Sequence, residues 1–247
     1  MIRIFLLFVL FMNFAYGASG ASGQIPTINL SLAAPDTPQQ LVSSLNVLVG
    51  LTVLFLAPSL VLVMTTFTRF VIVFGFLRQA LGTQQVPPTQ LMVMLAMILT
   101  YFVMEPIGHQ AYEEGVKPYI AKQISYDEAF DKSTKPFKSF MIRNTREKDL
   151  ALFVRIRHLE NPKNIDAVPL SVVIPAFVIS ELKTSFEIGF LIFLPFLIID
   201  MVVASILMSM GMMMLPPVMI SLPFKILVFV LIDGWNLLIG NLIASVK

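Results

Sequence analysis

The chain alternates long apolar runs with one extended polar stretch. After a short apolar run from Ile4 to Phe14 come four longer ones, at about Leu45 to Met64, Leu91 to Ile107, Ile188 to Met210 and Leu222 to Ile243. Each of the four is long enough to cross a bilayer as a helix, which takes roughly 20 residues. Between the second and third, residues 108–187 hold most of the charges of both signs. Within that stretch Tyr112 to Ile124 and Tyr126 to Phe130 read as helical, and Arg146 to Leu159 sets Leu150, Phe153 and Val154 at i, i+3 and i+4, an apolar stripe. No alternating strand pattern occurs. The pattern predicts an all-α, membrane-associated protein: a first helical hairpin over 45–107, a small polar helical domain over 108–187, and a second hairpin over 188–247.

The N-terminus predicts a targeting segment. Arg3, the apolar run to Phe14 and the small-x-small triplet Ala15-Tyr16-Gly17 are the parts of a cleavable signal peptide over 1–17. Its apolar core is too short to span. Residues 18–44 follow as a polar extracytoplasmic lead-in with Pro26, Pro35 and Pro38 and no Lys or Arg. The link after the first long apolar segment carries Arg69 and Arg78 and no acid, which the positive-inside rule assigns to the cytoplasm. Residues 108–187 then lie outside, and the final link faces the cytoplasm. On this reading Arg69 and Arg78 mark a side of the membrane; pairing with neighbouring subunits is the alternative.

Prolines and charges complicate plain spanning. Pro58 lies inside the first segment, Glu105-Pro106 closes the second, Pro195 interrupts the third and Pro223 opens the fourth. Such breaks are tolerated where protein rather than lipid satisfies the freed backbone groups. Asp200, Lys225 and Asp233 fall within or at the ends of apolar segments, where a charge needs a partner or a wet cavity. Kinked hairpins buried in an assembly account for both features better than four lipid-facing helices. Phe137 and Phe140 lie among Lys135, Lys138 and Arg143. That arrangement makes Phe140, and Phe153 on its stripe, candidate contacts with a neighbouring subunit, an ordinary small core being the alternative.

Composition narrows the function classes. With 57% hydrophobic residues, 13% charged residues and a mean hydropathy of +0.83, this is an integral membrane protein. The absence of Cys removes disulfides, thiolate metal sites and a cysteine nucleophile. A nucleic-acid surface is rejected because acids intersperse the basic residues and the region is assigned outside. Asp200 and Asp233 raise the possibility of an intramembrane aspartyl protease, but one Asp-Gly dipeptide is weak support. There is no His-Glu-x-x-His zinc site and no Gly-rich phosphate loop. A secondary transporter would predict internal repeats, and none is evident. No enzyme, cofactor or metal is expected.

One link is unusual. Met208, Met210, Met212, Met213 and Met214, with Gly211 among them, run into Pro216 and Pro217 between two apolar segments. Thioether side chains are unbranched, polarizable and able to repack, Gly211 adds backbone freedom, and the prolines break any helix. The tip reads as greasy and deformable; composition alone leaves open that Met is apolar filler.

The stretch Val173 to Phe190 with Phe193 to Asp200 is highly specific and resembles the FliP family of flagellar biosynthetic proteins. The resemblance continues through Gly211 to Pro217, Ser221 to Lys225 and Asp233-Gly234-Trp235, and upstream through Thr68-Arg69-Phe70, Leu77 to Gly82 and Gln84 to Pro88. It covers nearly everything from Leu45 onward. The resemblance implies a core subunit of the type III export gate in the bacterial inner membrane at the flagellar basal body. That gate comprises a ring of five copies with FliQ and FliR, and its helical cone is largely extramembrane, with large parts on the periplasmic side. Unfolded flagellar proteins pass through it, and other export-apparatus subunits supply the energy. A similar virulence-secretion subunit is the alternative, which the signal peptide disfavours. Met212, Met213 and Met214 match the family's pore gasket, flanked by Met208, Met210 and Gly211. Glu181 and Lys225 match positions that look like ion-pair partners between hairpins, with Asp200 a rival for Lys225; the choice stays open.

Overall fold

A computed structural model of the chain describes residues 45, 47–52, 55, 56, 59, 62–83, 86–159, 168–212 and 215–247. The expected signal peptide and lead-in over 1–44, Pro58, and Met213 and Met214 lie outside the described residues. The chain divides into two units, 1–51 and 52–247. In the first, residues 45 and 47–51 are helical. The second contains α1 (Phe67–Leu81), α2 (Thr89–Ala111), a π-helical turn (Tyr112–Val116), α3 (Lys117–Ile120), α4 (Tyr126–Asn144), α5 (Glu147–Ile156), α6 (Leu170–Ser209), α7 (Pro217–Leu231) and α8 (Gly234–Ala244). The described residues contain no strand.

The link carrying Arg69 and Arg78 is itself a helix, α1, and the most deeply buried one. Phe70, Val73, Phe74 and Leu77 recur at helical spacing and are all but inaccessible. They pack with Met92, Ala96 and Leu99 of α2, Phe196 of α6, Phe229 of α7, and Leu238 and Leu242 of α8. What reads as a connecting link is the centre of a core, because a 15-residue helix with an apolar stripe gains more by burial than a link exposed to water.

The polar region has a separate core. Phe140 and Met141 of α4, Val154 of α5, and Val168, Val172, Val173 and Phe177 at the start of α6 close around Met104 of α2. Ser125 caps α4, its hydroxyl accepting the Glu128 N–H at 3.3 Å, with Asp127 and Glu128 in the first turn. The helix expected to end near Phe130 runs on to Asn144 through the buried Pro136. Pro136 costs one backbone bond there, and its burial offsets that cost.

Continuous helices cross both expected borders of the polar domain. One passes 107/108 within α2 despite Pro106, and α6 passes 187/188 and runs through Pro175 and Pro195. At 1.5 Å per residue the 40 residues of α6 extend about 60 Å, twice the roughly 30 Å of a bilayer's hydrocarbon. Part of it therefore stands outside the hydrocarbon unless the helix is steeply tilted. Among the described residues, the 89–120 and 170–209 helices are long and apolar enough to cross a membrane. The fourth apolar segment is not a straight span: α7 and α8 meet at a 66° bend, where Asp233 takes a left-handed φ of 52°.

Candidate functional site: a methionine tip on a fastened helix pair

The tip is a helix stop built in backbone hydrogen bonds. The Met212 N–H donates to the Leu207 carbonyl at 3.0 Å, and the Gly211 N–H to the Met208 carbonyl at 3.0 Å, with Gly211 at φ 74°. This is the Schellman pattern, whose left-handed residue favours glycine. Pro217 then opens α7, its missing N–H costing nothing in the first turn. Met208, Met210 and Met212 are 61%, 65% and 41% exposed. Apolar side chains thus protrude where the chain reverses.

Below the tip, α6 and α7 are fastened by a polar cluster in apolar surroundings. Lys225 donates to the Asp200 carboxylate at 2.6 Å and to the Ala80 carbonyl at 3.0 Å, while the Ser221 hydroxyl donates to the other Asp200 oxygen at 2.5 Å. Ser221 and Lys225 stand one turn apart on α7 and are buried; Asp200 is partly exposed. Ala80 belongs to the last turn of α1, where free carbonyls attract a cation. Gly82 ends α1 in the left-handed region at φ 77° and lies close beside the Lys225 ammonium. Three helices meet on one lysine, and the rivalry for Lys225 goes to Asp200.

Glu181 has a different partner. The Arg69 guanidinium grips it with two parallel bonds, Nε to Oε2 at 2.7 Å and Nη2 to Oε1, and both side chains are buried. The same guanidinium donates through Nη1 to the Ser245 carbonyl at 2.8 Å and its hydroxyl at 2.9 Å. Arg69 is thus a junction of α1, α6 and the tail beyond α8. Position 69 lies on the stripe of Val73 and Leu77, spaced at i, i+4 and i+8, and that is the signal from which its burial was readable. Arg78, by contrast, is partly exposed and donates to the Thr89 hydroxyl at 2.7 Å.

Asn144 extends the fastening. Its amide donates to the Lys247 carbonyl at 2.9 Å and accepts the Lys247 N–H at 3.0 Å. Val246 packs against both cores. At the start of α5, Asp149 accepts from Ser180 at 2.6 Å and from Arg146 at 2.8 Å. Burial works to raise the Asp149 pKa, but the Ser180 hydroxyl, the Arg146 guanidinium and the nearby Lys183 outweigh it, so the carboxyl stays below its ordinary value.

Other candidates resolve differently. Phe140 is 1% exposed with its ring centroid 5.9 Å from that of Phe177, so it is a core residue of its own chain rather than a subunit contact. Phe153 is half-buried against the same core. Asp200 is occupied by Lys225 and Ser221, while Asp233 sits exposed at the α7–α8 bend. The two carboxylates are not arranged as a proton-sharing pair. Among the described residues no cluster of three or more His, Asp or Glu side chains is placed to hold a metal ion.

The FliP family matches residues 50–242 of the chain. A flagellar biosynthetic protein FliP from Bacillus subtilis is 51% identical over 216 residues, covering 87% of this chain and 98% of its own length. Its namesake in Pectobacterium carotovorum is 49% identical over 222 residues, covering 90% and 86%, and that of Caulobacter vibrioides is 54% identical over 199 residues, covering 80% and 75%. The chain belongs to the FliP family. It is a flagellar export component with membrane-capable helices, a structural subunit and not an enzyme.

Proposed function

We propose that this FliP-family chain is a core subunit of the flagellar type III export gate. On this reading several copies, five by family resemblance, assemble in the inner membrane with FliQ and FliR around a conduit for unfolded flagellar proteins. The methionine tips meet on its axis as a seal. The observation that supports this most directly is the exposure of Met208, Met210 and Met212 at a chain reversal whose stem is locked by Lys225, Asp200 and Ser221. A rigid stem and a soft end suit a gasket. Unbranched thioethers brought together on one axis exclude water and ions without fixed geometry, then yield to chains of many sequences.

In this reading Met212 to Met214 form the seal, with Met208 and Met210 at its margin and Gly211 as the pivot. The Arg69–Glu181 and Lys225–Asp200 pairs hold the subunit in shape and have no chemical step. Two measurements test it. Native mass spectrometry of the chain co-expressed with FliQ and FliR should give one large hetero-oligomer with several copies of this chain; a stable monomer that ignores both overturns the assembly. Replacing Met212 to Met214 with Ala should leave that complex intact but make the membrane leak small ions, and a membrane that stays sealed would reduce the cluster to filler.

A further inference from the structure

Where the polar region meets the apolar helices, a groove of about 450 Å³ opens between α2, α4 and the end of α8. Phe102, Ile107 and Ile243 contribute to its apolar wall, and Gln110, Arg143 and Lys247 supply its polar groups. No Asp or Glu lines it. The acid on this stretch of α2, Glu105, lines a different groove.

The two cations stand out against the others at the junctions of this fold. Arg69, Arg146 and Lys225 are each bonded to a carboxylate. The Arg143 guanidinium and the Lys247 ammonium, both on exposed residues, have no ion pair or hydrogen bond among the described residues. Lys247 is nonetheless fixed in place, because Asn144 holds its main chain through the two bonds described above. Both residues therefore line one groove from fixed backbone, Arg143 in the last turn of α4 and Lys247 through its bonds to Asn144. Phe102, 66% exposed, belongs to one of the helices long and apolar enough to cross a membrane.

We propose that this groove binds one anionic phospholipid, its phosphate between Arg143 and Lys247 and its upper acyl chain along Phe102 and Ile243. The site lies at the end of the apolar run from Leu91 to Ile107, where Glu105, His109 and Gln110 bring in polar groups as they do where a headgroup meets a membrane helix. Basic pockets between membrane helices recognise anionic headgroups this way. A free phosphate would engage the cations alone and leave the apolar wall bare. A lipid satisfies both parts of the groove. The inference rests on the membrane placement of the chain and not on the gate reading.

The test is native mass spectrometry of the detergent-solubilised protein, in whatever assembly it purifies, titrated with dioleoyl-phosphatidylglycerol and separately with dioleoyl-phosphatidylcholine. Phosphatidylglycerol should bind and phosphatidylcholine should not. Near an anionic headgroup each basic residue is worth a factor of about five, so Arg143→Gln with Lys247→Gln should weaken binding about thirty-fold. Arg143→Lys, which keeps the charge, should retain most of it. Both positions are exposed, so the variants should fold, and an unchanged thermal unfolding midpoint checks that they do. Equal binding by the double-Gln variant, or equal uptake of phosphatidylcholine, overturns the proposal. Displacement of the lipid by millimolar inorganic phosphate would reassign the site to a free anion, and burial of Arg143 against another subunit, detected by loss of its reactivity toward a dicarbonyl reagent, would reassign it to a protein contact.

Discussion

The two halves of α6 meet different surroundings, and the more apolar one is the less buried: 11 of the 20 residues over 170–189 are apolar against 16 of the 20 over 190–209. From Val172 to Gly189 buried positions recur at helical spacing, including Val172, Ala176, Phe177, Ser180, Glu181 and Ser185, and the helix face is filled by α1, α4 and α5. From Phe190 onward only Phe196 and Leu207 are buried, while Phe190, Leu191, Ile198, Met201 and Val202 stand more than half exposed. The first half buries a carboxylate and hydroxyls among its apolar side chains and satisfies each. The second presents apolar surface outward. Apolarity alone therefore does not define the role of a segment; the presence of paired polar groups inside the stripe separates core from outward face.

The largest expected effect tests the filled half. Glu181→Ala leaves the Arg69 guanidinium buried without its carboxylate and should cost about 3–5 kcal/mol, read as a loss of folded protein in detergent thermal unfolding. Little change would mean that water reaches Arg69. The contrast itself is tested by two truncations. Phe177→Ala, at a fully buried ring, should cost about 3–5 kcal/mol, whereas Phe190→Ala should stay within about 0.5 kcal/mol in the isolated chain. A loss of several kcal/mol at Phe190 would abolish the distinction between the halves.

Lys225→Ala removes the fastening of the outward half. It leaves Asp200 with Ser221 alone and frees the Ala80 carbonyl, and because Asp200 is partly exposed the cost should be smaller, about 1–3 kcal/mol. Recovery of a normal amount of intact complex from this variant would show that the stem does not depend on the pair. The smallest effect is acid sensitivity at the filled half. The Asp149 pKa is held below its ordinary 3.8, so its contribution is present above about pH 4 and is lost as pH falls through the depressed value. Asp149→Asn should therefore flatten the stability curve below about pH 4, seen by acid titration of the circular dichroism signal, and an unchanged acid limb would remove Asp149 from that account.

Much of this was readable from particular residues. The apolar runs, the helical class, the Met208 to Met214 cluster and the family motifs are local features, expressed in composition and in spacings of a few residues. The buried helix inside the link bearing Arg69 was missed because hydropathy averages over a window: Thr65, Thr66, Thr68 and Arg69 depress it just where the stripe of Phe70, Val73, Phe74 and Leu77 begins. Pro106 and Pro195 were read as breaks because proline removes a hydrogen bond locally, while the packing that retains the helix is supplied by distant segments. Phe140 looked like a contact because its sequence neighbours are charged, yet its spatial neighbour is Phe177.

The amino-acid order is enough to establish a helical membrane protein of the FliP family with a methionine-rich link, since helix period, apolar length and motif identity are properties of short stretches. Which carboxylate each buried cation meets was beyond it. Arg69 and Glu181 are 112 residues apart, Lys225 and Asp200 are 25 apart, and Asn144 finds Lys247 across 103. Charge pairing inside an apolar medium depends on distances of a few ångströms, and those distances arise only when separate helices are packed side by side.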